Sequence, residues 1–204
     1  MPQGSLFWVV ALAVCASSPA QAADYSDPTW PCIQRKVEHL SLGVMWPHPV
    51  SEGDLPESLR DPAHDLVQTL VLRRVPEEEL STLAADFGAA HPGVTRDDLS
   101  LIFRDAFTTI DRQRTRLIAG IGTYSLKQID LAARIEAARV AFDAEMALDE
   151  PDFDKVDALE EQIDWDERIY RDRAQSLTYV CETPVLLEKR AYAIAQALGH
   201  LVPD

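Results

Sequence analysis

The sequence predicts an all-α fold: a long antiparallel helical hairpin, preceded by shorter helices and by an irregular N-terminal segment containing proline and tryptophan. Two observations predict it. Prolines are frequent from Pro28 to Pro92 and absent from Gly93 to Glu150, so long helices fit only the later part of the chain. In that part, apolar residues recur at spacings of three and four in two stretches, separated by an acidic turn near residue 150.

The first element is a predicted signal peptide at residues 1–22. The apolar run from Leu6 to Ala16 has the length of a signal-peptide core, and Ala20-Gln21-Ala22 offers small residues for cleavage. An N-terminal membrane anchor is the alternative, although the run is short for one. A lipidated Cys15 is another, disfavoured by Val14 before it. We therefore expect export to the periplasm, and no later stretch is apolar enough to span the membrane.

Two cysteines remain after residue 22, Cys32 and Cys181. In an oxidising compartment such a pair most simply forms one disulfide that closes a long loop. Two free buried thiols are the alternative. A separation of this length is not a metal-ligand spacing, so the pair does not indicate a zinc site.

Residues 23–60 are predicted to be irregular because Trp-Pro and Pro-His-Pro units interrupt them. A helical domain is predicted over 61–204. Its first helix is expected at 62–74, with Asp61 as N-cap and Pro62 as first helical residue. The next is expected at 77–88, with acidic residues in its first turn, where the helix dipole favours them.

The hairpin helices are predicted at about 96–148 and 153–199. Thr95 and Asp98 resemble a capping box at the start of the first, and Pro184 predicts a kink or a new start in the second. If the turn centres near residue 150, facing positions sum to about 300. That register pairs Arg134 with Asp166 and Arg139 with Glu161, which are opposite in charge.

The same register places Cys181 beside Gly120, in a stretch that also contains Gly122. Because glycine permits close approach of another backbone, we expect the Cys32 segment to cross the hairpin there. The alternative is that the two glycines end one helix and that Ser125 and Gln128 cap another.

One candidate metal site lies in the irregular segment, where His39, Met45 and His48 fall within ten residues. Imidazole and thioether ligands suit periplasmic copper. Surface and packing roles explain the same residues. His64, His91 and His200 are expected to be polar residues near helix ends.

The turn of the hairpin is rich in acidic residues, five of which are predicted to dock a partner with a basic surface: Asp152, Asp154, Asp157, Glu160 and Glu161. A solvated helix face and a site for calcium are the alternatives, although the sequence is not an EF-hand. A group of bases includes Arg112, Arg114 and Arg116. Ion pairing within the molecule is their expected use, and an anion site the alternative.

Composition and motifs narrow the function further. The formal charge is −15 from 34 acidic and 19 basic residues, which disfavours nucleic acid as a partner. Metalloprotease, serine-hydrolase, P-loop and di-iron motifs are absent from the sequence, and no cofactor is predicted. We therefore expect a non-catalytic periplasmic protein that docks onto another envelope protein as adaptor, assembly factor or accessory subunit. Metal binding or sensing is the alternative, and homodimer formation is compatible with either.

In outline the chain resembles the small periplasmic helical-hairpin proteins that act as chaperones or metal sensors. The resemblance covers the signal peptide, the length and the hairpin of residues 95–199. The LTxxQ repeats typical of those chaperones are absent, so the resemblance transfers no residue roles.

Overall fold

The computed structural model describes residues 27–50 and 52–202, so the predicted signal peptide lies outside the described residues. Within those ranges the chain forms five α-helices and no strand: α1 (Leu42–Met45), α2 (Glu57–Leu70), α3 (Leu80–Ala90), α4 (Arg96–Met146) and α5 (Phe153–Gly199). A 3-10 turn at Glu77–Glu79 leads into α3. The all-α hairpin architecture is confirmed.

Helix α4 is a single helix with the predicted start. The hydroxyl of Thr95 accepts a hydrogen bond from the backbone N–H of Asp98 at 3.2 Å, and the Asp98 carboxylate accepts one from the backbone N–H of Thr95 at 2.9 Å. The helix continues through both glycines, so the interpretation with two helices is wrong. The expected caps bond elsewhere: Ser125 donates to the carbonyl of Pro28 and Gln128 to that of Tyr170.

Helix α5 continues through Pro184 without a new start. Proline has no N–H, so the carbonyl of Val180 has no helical donor. Neighbouring segments support the helix at this point. Gln34 donates its side-chain amide to the carbonyl of Cys181, and Arg114 Nε donates to the carbonyl of Pro184 at 3.3 Å.

Helix α2 differs from its predicted bounds of 62–74. It begins at Glu57, after Pro56, and ends at Leu70, so Pro62 lies inside the helix and Asp61 is not its N-cap. The proline is tolerated because the carbonyl that it leaves without a helical donor belongs to Ser58, an exposed residue. The predicted irregular segment therefore ends earlier than residue 60.

The main apolar core lies at the end of the hairpin that is remote from its turn. Helices α2 and α3 pack there against the first part of α4 and the last part of α5. Trp46, which follows α1, is 2% exposed, stacks on Phe103 at a centroid distance of 5.0 Å and donates to the hydroxyl of Ser100 at 2.9 Å. The segment that the sequence marks as irregular thus contributes a large buried side chain to the core.

Residues 27–40, which we call the strap, cross the hairpin outside this core. The predicted Cys32–Cys181 disulfide is present, with a Cα–Cα distance of 5.5 Å. The two cysteines form a second apolar cluster with Trp30, Ile118 and Ile121. The strap therefore crosses where the register predicts it, and it fixes the middle of the hairpin. In the described part of the chain, no helix is both long and apolar enough to cross a membrane.

Candidate docking site on the hairpin arm

The hairpin extends beyond the strap as two helices, in residues 126–174, which we call the arm. Neither apolar cluster includes a residue of the arm. From Leu126 to the end of α4 at Met146, a rise of 1.5 Å per residue gives about 30 Å of helix. The arm therefore presents much of both helices to its surroundings.

The interior of the arm is narrow and partly polar. Leu131, Ile135 and Ala138 of α4 are buried opposite α5, where Val156 is buried. Because this apolar core is small, polar contacts between α4 and α5 help to fix the register of the two helices. The arm has these contacts at several levels, beginning with the Gln128 amide, which donates to the carbonyl of Tyr170 at 3.1 Å.

Of the two predicted ion pairs across the arm, one is confirmed. Arg134 Nη2 lies 2.7 Å from Asp166 Oδ1, and the Asp166 side chain is only 8% exposed. The pairing of Arg139 with Glu161 is wrong, because Arg139 Nη2 lies 2.5 Å from Glu167 Oε1 instead. Helical geometry explains the difference: Glu161 lies on the outer face of α5, where it is exposed.

At the tip of the arm, Glu145 closes the turn between the helices. Its side chain is 8% exposed, and it accepts hydrogen bonds from Lys155 Nζ and, at 3.2 Å, from the backbone N–H of Asp152. The bond from Lys155 and then that from Asp152 lower the pKa of Glu145. The bond to Glu145 raises the pKa of Lys155. Both groups are therefore charged at neutral pH.

The five acidic residues predicted to dock a partner are all exposed. One of them also has a structural role: Asp152 is the N-cap of α5, and its Oδ1 accepts from the backbone N–H of Lys155 at 3.3 Å. Farther along α5, acidic residues and Trp165 line a shallow recess of about 710 Å³: Asp157, Glu160, Glu161 and Asp164. Trp165 is 61% exposed, so an aromatic side chain lies among the predicted docking acids.

A second feature of the arm was not predicted from the sequence. Helix α4 has an exposed apolar row, which we call the outer row, besides the buried residues that face α5. Its members recur at spacings of three and four: Leu126, Ile129, Ala133, Ala137, Val140 and Ala144. The most exposed of its large side chains is Val140, at 60%. The signal is present in the sequence, but three of the six members are alanines, which makes it weak.

The residues of the candidate metal site have different neighbours. His39 Nδ1 lies 3.4 Å from Asp111 Oδ2 on α4, and the ring of His48 packs edge-on against Trp46. Met45 is buried in the main core. Among residues 27–50 and 52–202, no three His, Cys, Asp or Glu side chains form a group that could hold a metal ion.

The basic residues of α4 do not share one environment. Arg114 is 3% exposed and donates to the carbonyls of Val37 and Pro184, so it fastens the strap to both helices. Burial lowers its pKa, although Glu188 and Asp111 oppose the effect. Arg112 and Arg116 are exposed. Arg114 therefore has a structural role that its exposed neighbours lack.

Comparisons with protein-family models, with curated proteins and with solved structures give no match. The arm combines an exposed apolar row on one helix with acidic residues and an exposed tryptophan on the other. These are the chemical groups of a protein-binding surface, since apolar and aromatic side chains supply affinity and charges supply orientation.

Proposed function

We propose that this protein is a non-catalytic periplasmic helical protein that docks onto another envelope protein through its arm, as an adaptor, assembly factor or accessory subunit. The observation that carries the proposal is the outer row. A helix that is apolar on two opposite faces is normally covered on both. Only one of these faces on α4 is covered by α5, so the outer row offers apolar area to a partner.

The charge of the arm indicates what kind of partner fits. Asp154, Asp157, Glu160 and Glu161 are exposed on α5 near Trp165. A basic surface complements these charges and associates faster because of them. Tryptophan is enriched among the residues that dominate binding energy. The partner therefore has an apolar strip flanked by Lys or Arg.

The proposed location has two supports. The N-terminal sequence has the pattern of a signal peptide, and the chain contains a disulfide. Disulfides persist in oxidising compartments such as the bacterial periplasm. Both features suit a protein that meets its partner outside the cytoplasm.

The proposal is tested by purifying the protein from a periplasmic extract and identifying co-purifying proteins by mass spectrometry. In a first variant, Leu126→Gln with Val140→Gln removes apolar area from the outer row while keeping good helix formers. The matched control is Leu186→Gln, which changes a side chain of similar exposure on α5 outside the arm. We expect a stoichiometric partner that the control retains and the outer-row variant loses.

A second variant tests the acidic residues: Asp154→Asn, Asp157→Asn, Glu160→Gln and Glu161→Gln. Asp152 is kept, because its loss would remove the N-cap of α5. We expect this variant to bind the same partner more weakly and with less dependence on salt. A protein that brings no stoichiometric partner, or whose partner ignores both arm variants, would contradict docking through the arm.

A further inference from the structure

A groove lies where the strap meets the base of the arm. The strap forms one wall with Pro31 to Gln34, and α4 and α5 form the others. Its volume is about 610 Å³, within the range of about 300–1,000 Å³ that is usual for small-molecule sites. The Cys32–Cys181 disulfide is part of its lining and fixes the strap, so the groove is preformed.

The lining is mainly apolar and much of it is accessible. Ile33 of the strap is 79% exposed, Ile129 of α4 is 49% exposed and Tyr170 of α5 is 38% exposed. Leu177 and the two alanines Ala132 and Ala174 complete the apolar lining. An apolar body that enters the groove would remove these surfaces from water.

One polar side chain in the lining, that of Gln128, has a hydrogen-bond acceptor without a donor in the described part of the chain. Gln128 is only 8% exposed, and its Nε2 donates to the carbonyl of Tyr170. Its Oε1 is buried and has no hydrogen-bond partner among the described residues. A buried acceptor without a donor costs free energy, which a ligand that brings a donor recovers.

We propose that this groove binds an apolar molecule that carries one N–H donor and no anionic group. The apolar body occupies the space between Ile33, Ile129 and Tyr170, and the N–H completes the hydrogen bonds of the Gln128 amide. An anionic ligand is disfavoured because exposed Glu182 lines the groove and the chain carries a net charge of −15. The groove shares Ile129 with the outer row, but the inference does not rest on the docking function proposed for the arm.

The test titrates the disulfide-containing protein with N-phenyl-1-naphthylamine, an apolar amine with one N–H whose fluorescence rises in apolar surroundings. We expect saturable binding of one molecule per chain. Ala132→Phe and Ala174→Phe each fill the groove from an exposed position, so each should raise the dissociation constant at least about tenfold. Ala85→Phe is the matched control, because it makes the same change at an exposed position of α3, outside the groove and the outer row, and should leave binding unchanged.

The role of Gln128 is tested with the N-methylated analogue of the same compound, which has no N–H. We expect the unchanged protein to bind the analogue about fivefold more weakly, the effect of one hydrogen bond. Gln128→Met keeps the length of the side chain but removes its oxygen, so this variant should bind both compounds equally.

Three outcomes would overturn the proposal: no saturable binding by the unchanged protein, equal effects of Ala132→Phe and Ala85→Phe, or equal binding of the two compounds by the unchanged protein. Far-UV circular dichroism and thermal melting show whether each variant folds. If Ala132→Phe does not fold, Ala174→Phe, which enters the groove from the other helix, decides the question.

Discussion

Thr29 crosses α4 directly over Gly122. A Cβ atom added at Gly122 would lie 3.3 Å from the Cβ and 3.3 Å from the backbone oxygen of Thr29, whereas one added at Gly120 would meet nothing within 4 Å. Thr29 is held in place, since its backbone N–H donates to Asp27 Oδ1 at 2.8 Å. Only one of the two glycines is therefore required for the close approach of the strap.

The first prediction compares Gly120→Ala with Gly122→Ala. Alanine in a helix interior is favoured over glycine by about 1 kcal/mol, so Gly120→Ala should raise the free energy of unfolding by about that amount. Gly122→Ala should raise the free energy of unfolding by less, or lower it, because the strap has to move by a few tenths of an ångström. Urea unfolding measures both. In a Cys32→Ser, Cys181→Ser background the strap moves more easily, and the difference should shrink.

The second prediction concerns the two ion pairs of the arm. Arg134→Ala removes the partner of a carboxylate that is 8% exposed, so it should lower the free energy of unfolding by about 1–3 kcal/mol. Arg139→Ala removes a partner of Glu167, whose side chain is 32% exposed. It should lower the free energy of unfolding by less than about 1 kcal/mol. Urea unfolding of the two variants at low salt compares them. Equal costs would mean that burial of Asp166 does not matter.

These pairs show what the sequence could predict of the fold. The local sequence was sufficient to predict the capping box of Thr95 and Asp98, the hairpin turn and one ion pair between the helices. It was insufficient for Arg139, because a register derived from the turn alone does not say which of two neighbouring acids faces inward. It also misplaced the start of α2, because the helix tolerates Pro62, and the carbonyl that this proline leaves unpaired belongs to the exposed residue Ser58.

For the candidate site, the sequence predicted the acidic residues but not their surroundings. Exposure of Trp165 and of the outer row depends on which faces α4 and α5 present to each other, and periodicity alone does not decide this. The groove could not be predicted from the sequence for a related reason. Its walls come from three separate segments, joined by a disulfide that closes a sequence separation of 149 residues.

The third prediction is a pH dependence at the tip of the arm. The folded pKa of Glu145 is lowered from 4.5, so its stabilising contribution is complete above that pH and is lost as the pH falls through the folded pKa. The raised pKa of Lys155 keeps the lysine charged at any pH below its ordinary value of 10.5. Glu145→Gln should therefore be less stable than the unchanged protein at pH 7, and the difference in the free energy of unfolding should narrow as the pH falls below 4.5 through the folded pKa.

Amide hydrogen exchange of residues 143–156 measures this effect where it occurs. Asp143→Asn is a suitable control, because Asp143 is an exposed acid on the neighbouring turn of α4. Exchange in the control should show the same pH dependence as in the unchanged protein. A difference in stability between Glu145→Gln and the unchanged protein that does not narrow as the pH falls below 4.5 would show that the carboxylate charge is not what closes the turn.

The last prediction concerns Arg190, which is 3% exposed on α5. Its Nε donates to the carbonyl of Leu70 at 2.7 Å and its Nη1 to that of Val75 at 2.6 Å. Arg190 therefore supplies hydrogen-bond donors to the last carbonyl of α2 and to one in the loop that follows. Burial lowers the pKa of Arg190, and Glu77 opposes this effect. The buried cation is thus compensated mainly by two backbone carbonyls.

Arg190→Met should lower the free energy of unfolding by about 2–4 kcal/mol, because both carbonyls lose their donor inside the protein. Arg190→Lys should not restore stability, since a single ammonium lacks the planar fork that reaches two acceptors. Arg112→Met, at an exposed position of α4, is the control and should change stability by less than about 0.5 kcal/mol. Urea unfolding distinguishes these cases. If Arg190→Lys were as stable as the unchanged protein, the two carbonyls would not need the geometry of the guanidinium, and charge alone would account for its presence in the core.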